Sequence, residues 1–361
     1  MSFGTDSWQA RFSRRISRRR ALQAMGLGAV GLAGAALFGC EEGEEEAAPA
    51  ATASPPREPT PGVVEKEETV ERISLDQVEL LGEDLNRPEG VVVASDGTVW
   101  AADGRGACTA LTPDGRLRRL GDLGGKPNGI CLDLEGNVII ANIGGSCVQR
   151  LFPDGRHEVI VDSVEGRPLS TPNFPVLDSK GNIYVSNSTW RFPDDVAIRE
   201  PAPDGAVVRI SPDGRVELVA EGFVYANGLA LAEDESALFM AQTMARNVLR
   251  LPLRPDGSVG APEQYGPELG PTGFPDGVAL DSRGNLYVTL VAMNALAVIT
   301  PQGEMEMILE DPEGEKIRNP TNIAFGGPDL RDAYVGNLAG ASLPRFRAQF
   351  AGMPLVHQRG S

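Results

Sequence analysis

The sequence predicts an all-β fold, a six-bladed β-propeller with four antiparallel strands per blade, spanning residues 71–361. Three observations predict it. A segment beginning at Asn86 recurs at Lys126, Thr171, Tyr225, Phe274 and Pro320. Its head residues, Glu89, Asn128, Asn173, Asn227, Asp276 and Asn322, are separated by 39, 45, 54, 49 and 46 residues, the spacing of propeller blades. Short runs rich in β-branched and aromatic residues, such as 182–185 and 285–288, alternate with glycine turns. No stretch after residue 70 shows helical periodicity.

Each unit is built in the same order. A short apolar strand, as at residues 129–132, ends in a tight turn carrying Asp, Gly or both. A second strand follows, then a loop and a third strand. Next comes a Pro-Asp-Gly turn, found at Pro113-Asp114-Gly115, Pro153-Asp154-Gly155 and Pro212-Asp213-Gly214, and as Pro301-Gln302-Gly303. Proline presets φ and glycine supplies positive φ, so these are hairpin turns. A fourth strand, as at 215–219, completes the unit. Alternation then sends the tight turns to one face. The opposite face receives the longer loops 104–108, 143–146, 242–247 and 291–294, together with the largest, 187–205. Function on a rigid scaffold concentrates on such a face.

The N-terminus carries addressing signals rather than fold. Arg18 and Arg19 precede an almost uncharged segment, 24–39, too short and glycine-rich for a membrane span. The pair fits a twin-arginine export signal. Leu37-Phe38-Gly39-Cys40 resembles a bacterial lipoprotein signal, which implies acylation of Cys40. Residues 1–39 are therefore read as a signal peptide. Residues 40–70, acidic and proline-rich, are read as a lipid-bearing tether too polar to fold. The expected location is the periplasmic or cell-surface side of a bacterial membrane. The formal charge is −17, and residues 1–39 hold six of the arginines against one aspartate, so the rest is more acidic still. That balance argues against nucleic-acid binding. Besides Cys40 there are Cys108, Cys131 and Cys147, which allow at most one disulfide and form no Cys-x-x-Cys motif.

Six first-strand heads close around one axis bring Glu89, Asn128, Asn173, Asn227, Asp276 and Asn322 together. All are oxygen donors without a lysine or arginine among them, the set a hard divalent cation takes. Turn chemistry is the competing explanation for Asn128-Gly129 and Asn227-Gly228. It does not account for Glu89, for Asn173 before Phe174, or for Asn322 before Ile323. The two histidines, His157 and His357, fall away from this ring, in an outer strand and near the C-terminus. Both are expected at the surface, so a Ser-His-Asp mechanism or a histidine-ligated zinc is hard to build.

In these residues the chain resembles the gluconolactonase and regucalcin (senescence marker protein) group of six-bladed propellers over about residues 72–356. Glu89 in Arg-Pro-Glu-Gly, Asn227 in Ala-Asn-Gly-Leu and Asp276 in Pro-Asp-Gly-Val match the group's metal ligands. Asn173 falls where the group has an asparagine touching substrate or the water on the metal. Residues 324–335 resemble its closing blade. The resemblance implies one divalent ion, calcium before magnesium, manganese or zinc, and a lactone or ester substrate. It implies Asp276 and Asn173 as catalytic residues, with Glu89, Asn173, Asn227 and Asp276 as the metal set. Where many members read Arg-x-Asn-Asp, this chain reads Thr171-Pro172-Asn173-Phe174, which weakens the case for a sugar-acid lactone. Phe174, Trp190 and Phe192, with Asn128 and Asn322, are then the expected substrate pocket, and a more apolar one.

Two functions stay open on the sequence. One is a metal-dependent hydrolase of lactones or related esters. The other is a non-catalytic, metal-plugged propeller serving as an envelope-anchored binding module.

Overall fold

The computed structural model describes residues 69–192 and 195–359. Arg18, Arg19 and Cys40, expected to serve export and lipidation, and nearly all of residues 40–70 lie outside them. Six four-stranded antiparallel sheets are arranged as propeller blades. Blade 1 holds Val91–Val93, Val99–Asp103, Ala107–Leu111 and Leu117–Leu120. Blade 2 holds Pro127–Leu132, Val138–Asn142, Cys147–Leu151 and His157–Val161. Blade 3 holds Pro172–Leu177, Ile183–Asn187, Gly205–Ile210 and Val216–Phe223. Blade 4 holds Ala226–Leu231, Ala237–Gln242, Asn247–Pro252 and Glu263–Tyr265. Blade 5 holds Pro275–Leu280, Leu286–Leu290, Ala295–Ile299 and Met305–Glu310.

Blade 6 departs from the simple repeat. Its own unit supplies three strands, Pro320–Gly326, Asp332–Asn337 and Leu343–Arg347. The fourth comes from the N-terminal side of the domain: Glu79–Leu81 pairs antiparallel with the last strand, Glu79 opposite Arg345 and Leu81 opposite Leu343. The residues before it are tied to blade 5 and the segment after it. Ile73 N donates to Ile308 O at 2.7 Å, and Lys316 Nζ donates to Leu75 O at 2.8 Å and Val78 O at 2.7 Å.

The core is divided rather than central. Six clusters of buried side chains each lie between two adjacent blades. Between blades 1 and 2, for instance, Val92, Ala102 and Cys108 pack on Ile130, Val138 and Ile140. Strands covered on both faces explain the near-continuous apolar runs of the second strands, all five residues of Val138–Asn142 being buried. The Pro-Asp-Gly turns form with glycine at positive φ, +82° at Gly115 and +88° at Gly155.

Two sequence expectations need correction, on helix content and on His357, and the open question of the cysteines is answered. A short helix, Asp195–Arg199, does occur, inside the long blade 3 loop where no periodicity announced it. The cysteines Cys108, Cys131 and Cys147 are all buried and unpaired, so no disulfide forms among the described residues. Burial pushes the thiols of Cys108 and Cys131 far up, leaving them as small hydrophobes. His157 is exposed as expected, whereas His357 is partly buried at the axis.

His357 lies in the C-terminal segment that closes an apolar chamber below the first-strand heads, lined by Val91, Ile130, Phe174, Leu229, Val278 and Ile323 among others. Its Nε2 lies 2.9 Å from Val93 O and donates to it. Burial holds this imidazole below its ordinary range. The unfolded chain therefore takes up the proton first, and stability falls as pH drops below about 6.5. Between pH 7.5 and 5.5 the melting temperature of the native chain is expected to fall more steeply than that of His357→Gln. Equal slopes in a differential scanning series would contradict this.

Candidate functional site

Why the six heads converge is visible in the glycines that follow them. Gly90, Gly129, Gly228 and Gly277 do not have positive φ, so they are not turn residues. They lie where the next blade's first strand runs against them. A Cβ at Gly228 would lie 2.6 Å from Asp276 O, one at Gly129 2.6 Å from Asn173 O, and one at Gly277 would collide with Thr321 O. The Asn-Gly and Asp-Gly pairs thus record close approach of backbones around the axis. That approach brings the six heads together.

All six are buried: Glu89, Asn128, Asn173, Asn227, Asp276 and Asn322 are each at most 3–4% exposed. Hydroxyls on the second strands and their ends set their orientation. Ser188 Oγ accepts from Asn173 Nδ2 at 2.9 Å and donates to Ala226 O of the next blade at 2.7 Å. Thr243 Oγ1 does the same between Asn227 Nδ2, at 2.8 Å, and Pro275 O, at 2.7 Å. Asn322 Nδ2 donates to Glu89 O at 3.2 Å. With their NH2 ends held in this way, Asn227 Oδ1 and Asn322 Oδ1 are left buried with no hydrogen-bond partner among the described residues, and so is Asp276 Oδ1. Unpaired buried oxygens are rare because each loses its hydration without compensation. A group of them beside two carboxylates is chemically matched to a hard divalent cation. Among the described residues no three His, Cys, Asp or Glu side chains are placed to hold one ion between them. Any ion here draws on amide oxygens as well as Glu89 and Asp276.

Asn128 differs from the other amides. Its Nδ2 faces Glu89 Oε1 at 2.8 Å and Asn173 Oδ1 at 3.1 Å, and its Oδ1 accepts from Arg87 at 2.8 Å. It is a hydrogen-bond hub rather than an inward-facing oxygen. Electrostatics follow from burial. Asp276 is pushed well above the usual carboxylate range by loss of water and by the charge of Glu89, with Arg87 and the Asn227 amide pulling the other way. Glu89 is raised by burial, opposed by Arg87, Lys126 and the Asn128 amide.

The cavity above these heads is lined by Arg87, Lys126, Ile143, Ile198, Tyr225, Met244 and Val291 in addition to the polar residues. Two cations therefore face a site whose heads contain none. Arg87 and Lys126 each lie two positions before a head, and Tyr225 holds the same position in blade 4. The wall is cationic at Arg87 and Lys126 of blades 1 and 2, and apolar at Ile143 of blade 2 and on the blades beyond. This position before the head was the signal available in the repeat, and sequence reasoning missed it. The hydroxyls of Ser188 and Thr243 were missed as well.

The expected aromatic pocket is not assembled. Phe174 lies in the core between blades 3 and 4 and lines the chamber below. Trp190 packs against the core between blades 2 and 3, under the Arg167 guanidinium at 3.9 Å. Phe192 points away, 80% exposed. None of the three lines the cavity above the heads; the loop carrying Trp190 and Phe192 contributes Ile198 there instead. Asn322 lies beside Glu89 beneath the cavity rather than in its wall.

Comparison with known proteins adds an independent line. The chain is 28% identical over 225 residues to a gluconolactonase of Zymomonas mobilis, covering 59% of this chain and 60% of that protein. It is 26% identical over 258 residues to a pentonolactonase of Haloferax volcanii, covering 68% and 81%. Alignment with the Zymomonas relative thus spans well under two thirds of that protein's length. The fold is shared with a gluconolactonase from Xanthomonas campestris, at a TM-score of 0.64 and 21% identity over 78% of this chain and 95% of the other. It is shared also with a calcium-binding regucalcin from Agrobacterium tumefaciens, at a TM-score of 0.61 and 17% identity over 75% and 92%. A family model described as SMP-30/Gluconolactonase/LRE-like region matches residues 151–338. Those residues are more than half of the chain, and the protein belongs to that family.

Proposed function

We propose that this protein is a divalent-cation-dependent hydrolase of lactones or related esters. The observation that carries the reading is the pair of buried, unpaired oxygens Asn227 Oδ1 and Asp276 Oδ1, which share one cavity lining with Glu89 and Asn173. The lactonase names of its relatives support the same reaction class. Glu89, Asn227, Asp276 and Asn173 would hold the ion, calcium first among the candidates. A hard divalent ion seated there supplies Lewis acidity toward the carbonyl and acidifies a water.

The chain's own residues do the rest. The Asp276 carboxylate takes a proton from the attacking water and returns it to the ring oxygen as the C–O bond breaks. Asn173, fixed by Ser188, presents its amide oxygen to the same space and orients the water or substrate. The apolar wall of Ile143, Ile198, Tyr225, Met244 and Val291 receives the non-reacting part of the substrate. A lactone with an apolar substituent suits this wall better than a bare polyhydroxy ring.

The test is a panel of sugar lactones, alkyl-substituted lactones and aryl esters, assayed with and without chelator. Turnover that chelator abolishes and calcium restores is expected, with alkyl-substituted lactones preferred. Melting that responds to chelator, with no turnover of any member, would instead describe a binding module.

A further inference from the structure

Arg87 stands where nothing in the repeat requires a cation. Its side chain is 11% exposed. Nη2 donates to Asn128 Oδ1 at 2.8 Å and to Glu89 Oε2 at 3.3 Å, and Nη1 donates to Pro127 O at 3.2 Å. Its backbone is left-handed, φ +47°, a conformation that disfavours any residue with a Cβ. A guanidinium keeps its charge under all ordinary conditions. Two buried carboxylates, Glu89 and Asp276, otherwise face one another's charge. The Arg87 guanidinium touches Glu89 directly, at 3.3 Å, beside the Asn128 amide at 2.8 Å, and the charge of Lys126 acts on Glu89 from the same cavity wall.

We propose that Arg87 is a resident counter-cation: it neutralises the axial carboxylates when no divalent ion is bound, and it competes with that ion for Glu89. The inference rests on the reading of the axis as a divalent-cation site. The argument is one of shared oxygens and like charge. Glu89 Oε2 cannot be fully engaged by a guanidinium and by an ion at once. A fixed positive charge a few ångströms from a doubly charged ion opposes its entry most where water is excluded. Removing an ion from a site of clustered carboxylates ordinarily leaves them uncompensated, which is strongly destabilising. Arg87 lets the ion leave without that loss, at the expense of affinity. The protein then holds its fold in calcium-poor surroundings and loads only where the ion is abundant.

The experiment uses the full chain, stripped with chelator and titrated calorimetrically with calcium chloride. Three variants are compared with the native chain: Arg87→Gln, which removes the charge; Arg87→Gly, which removes it and relieves the left-handed backbone; and Arg87→Lys, which keeps it. Arg87→Gln and Arg87→Gly are expected to bind calcium about tenfold more tightly or better, with Arg87→Lys close to the native value. The gap in melting temperature between chelated and calcium-loaded protein widens in the two neutral variants. Equal or weaker calcium binding in both would overturn the proposal and make Arg87 an organiser of Glu89. A native chain and variants that all take up no calcium, magnesium or manganese would overturn the cation-site reading itself. Variants that bind where the native chain does not would be the clearest support.

Discussion

Asp276→Asn is expected to lower kcat on the preferred lactone by about 10²–10⁴-fold, the range for removing a positioned general base. The substitution keeps shape and removes one of the two proposed carboxylate ligands, so calcium affinity falls with it. Stability should move in the opposite direction. In chelated protein the Asn variant is expected to melt no lower than the native chain, because it removes a buried carboxylate held against the charge of Glu89. A residue that helps function while straining the fold marks a functional site. Full activity in Asp276→Asn, measured with calcium in excess, would remove this residue from the mechanism. A large fall in the chelated melting temperature would mean that its role is structural.

The second large effect lies one residue further along. Gly277→Ala is expected to destabilise the domain by about 3 kcal/mol or more, the upper end for overpacking, because its Cβ would meet backbone rather than a movable side chain. That corresponds to a fall in melting temperature of roughly 6 °C or more for a domain of this size. The added methyl would also lie 2.7 Å from Asn322 Oδ1, so the response of melting to calcium should shrink. Gly136→Ala is the informative contrast. There the Cβ meets open space and the left-handed φ alone is strained, an effect of about 1–2 kcal/mol. Similar losses in the two variants would show that close packing of blades at the axis is not what the ring glycines serve.

Much of this architecture could be read from the sequence because a blade is a local object. Its strands, turns and head residue fall within about fifty residues, so the repeat itself reports the fold and the convergence of Glu89, Asn128, Asn173, Asn227, Asp276 and Asn322. What escaped reading depends on neighbours the repeat does not encode. Arg87 and Lys126 occupy a position that varies from blade to blade, so an alignment of the heads alone passes over their charge. Phe174 precedes Pro175 in a first strand, where alternation turns its ring toward the next blade instead of the cavity. Trp190 and Phe192 sit in a loop whose course is set by Arg167, Asp204 and the helix Asp195–Arg199 rather than by periodicity. The glycines after the heads were legible in kind but not in reason. Turn chemistry and close backbone approach select the same residue, and the distinction needs φ.

The closing strand Glu79–Leu81 has a mechanical consequence. A circular array of sheets has one seam where only hydrogen bonds join neighbouring strands, here inside blade 6, and three residues close it. Tension drawn along the preceding segment would unzip so short a strand if nothing stood upstream of it. The bonds from Ile73 to Ile308 and from Lys316 to Leu75 and Val78 act as strain relief, passing the load to blade 5 before it reaches the seam.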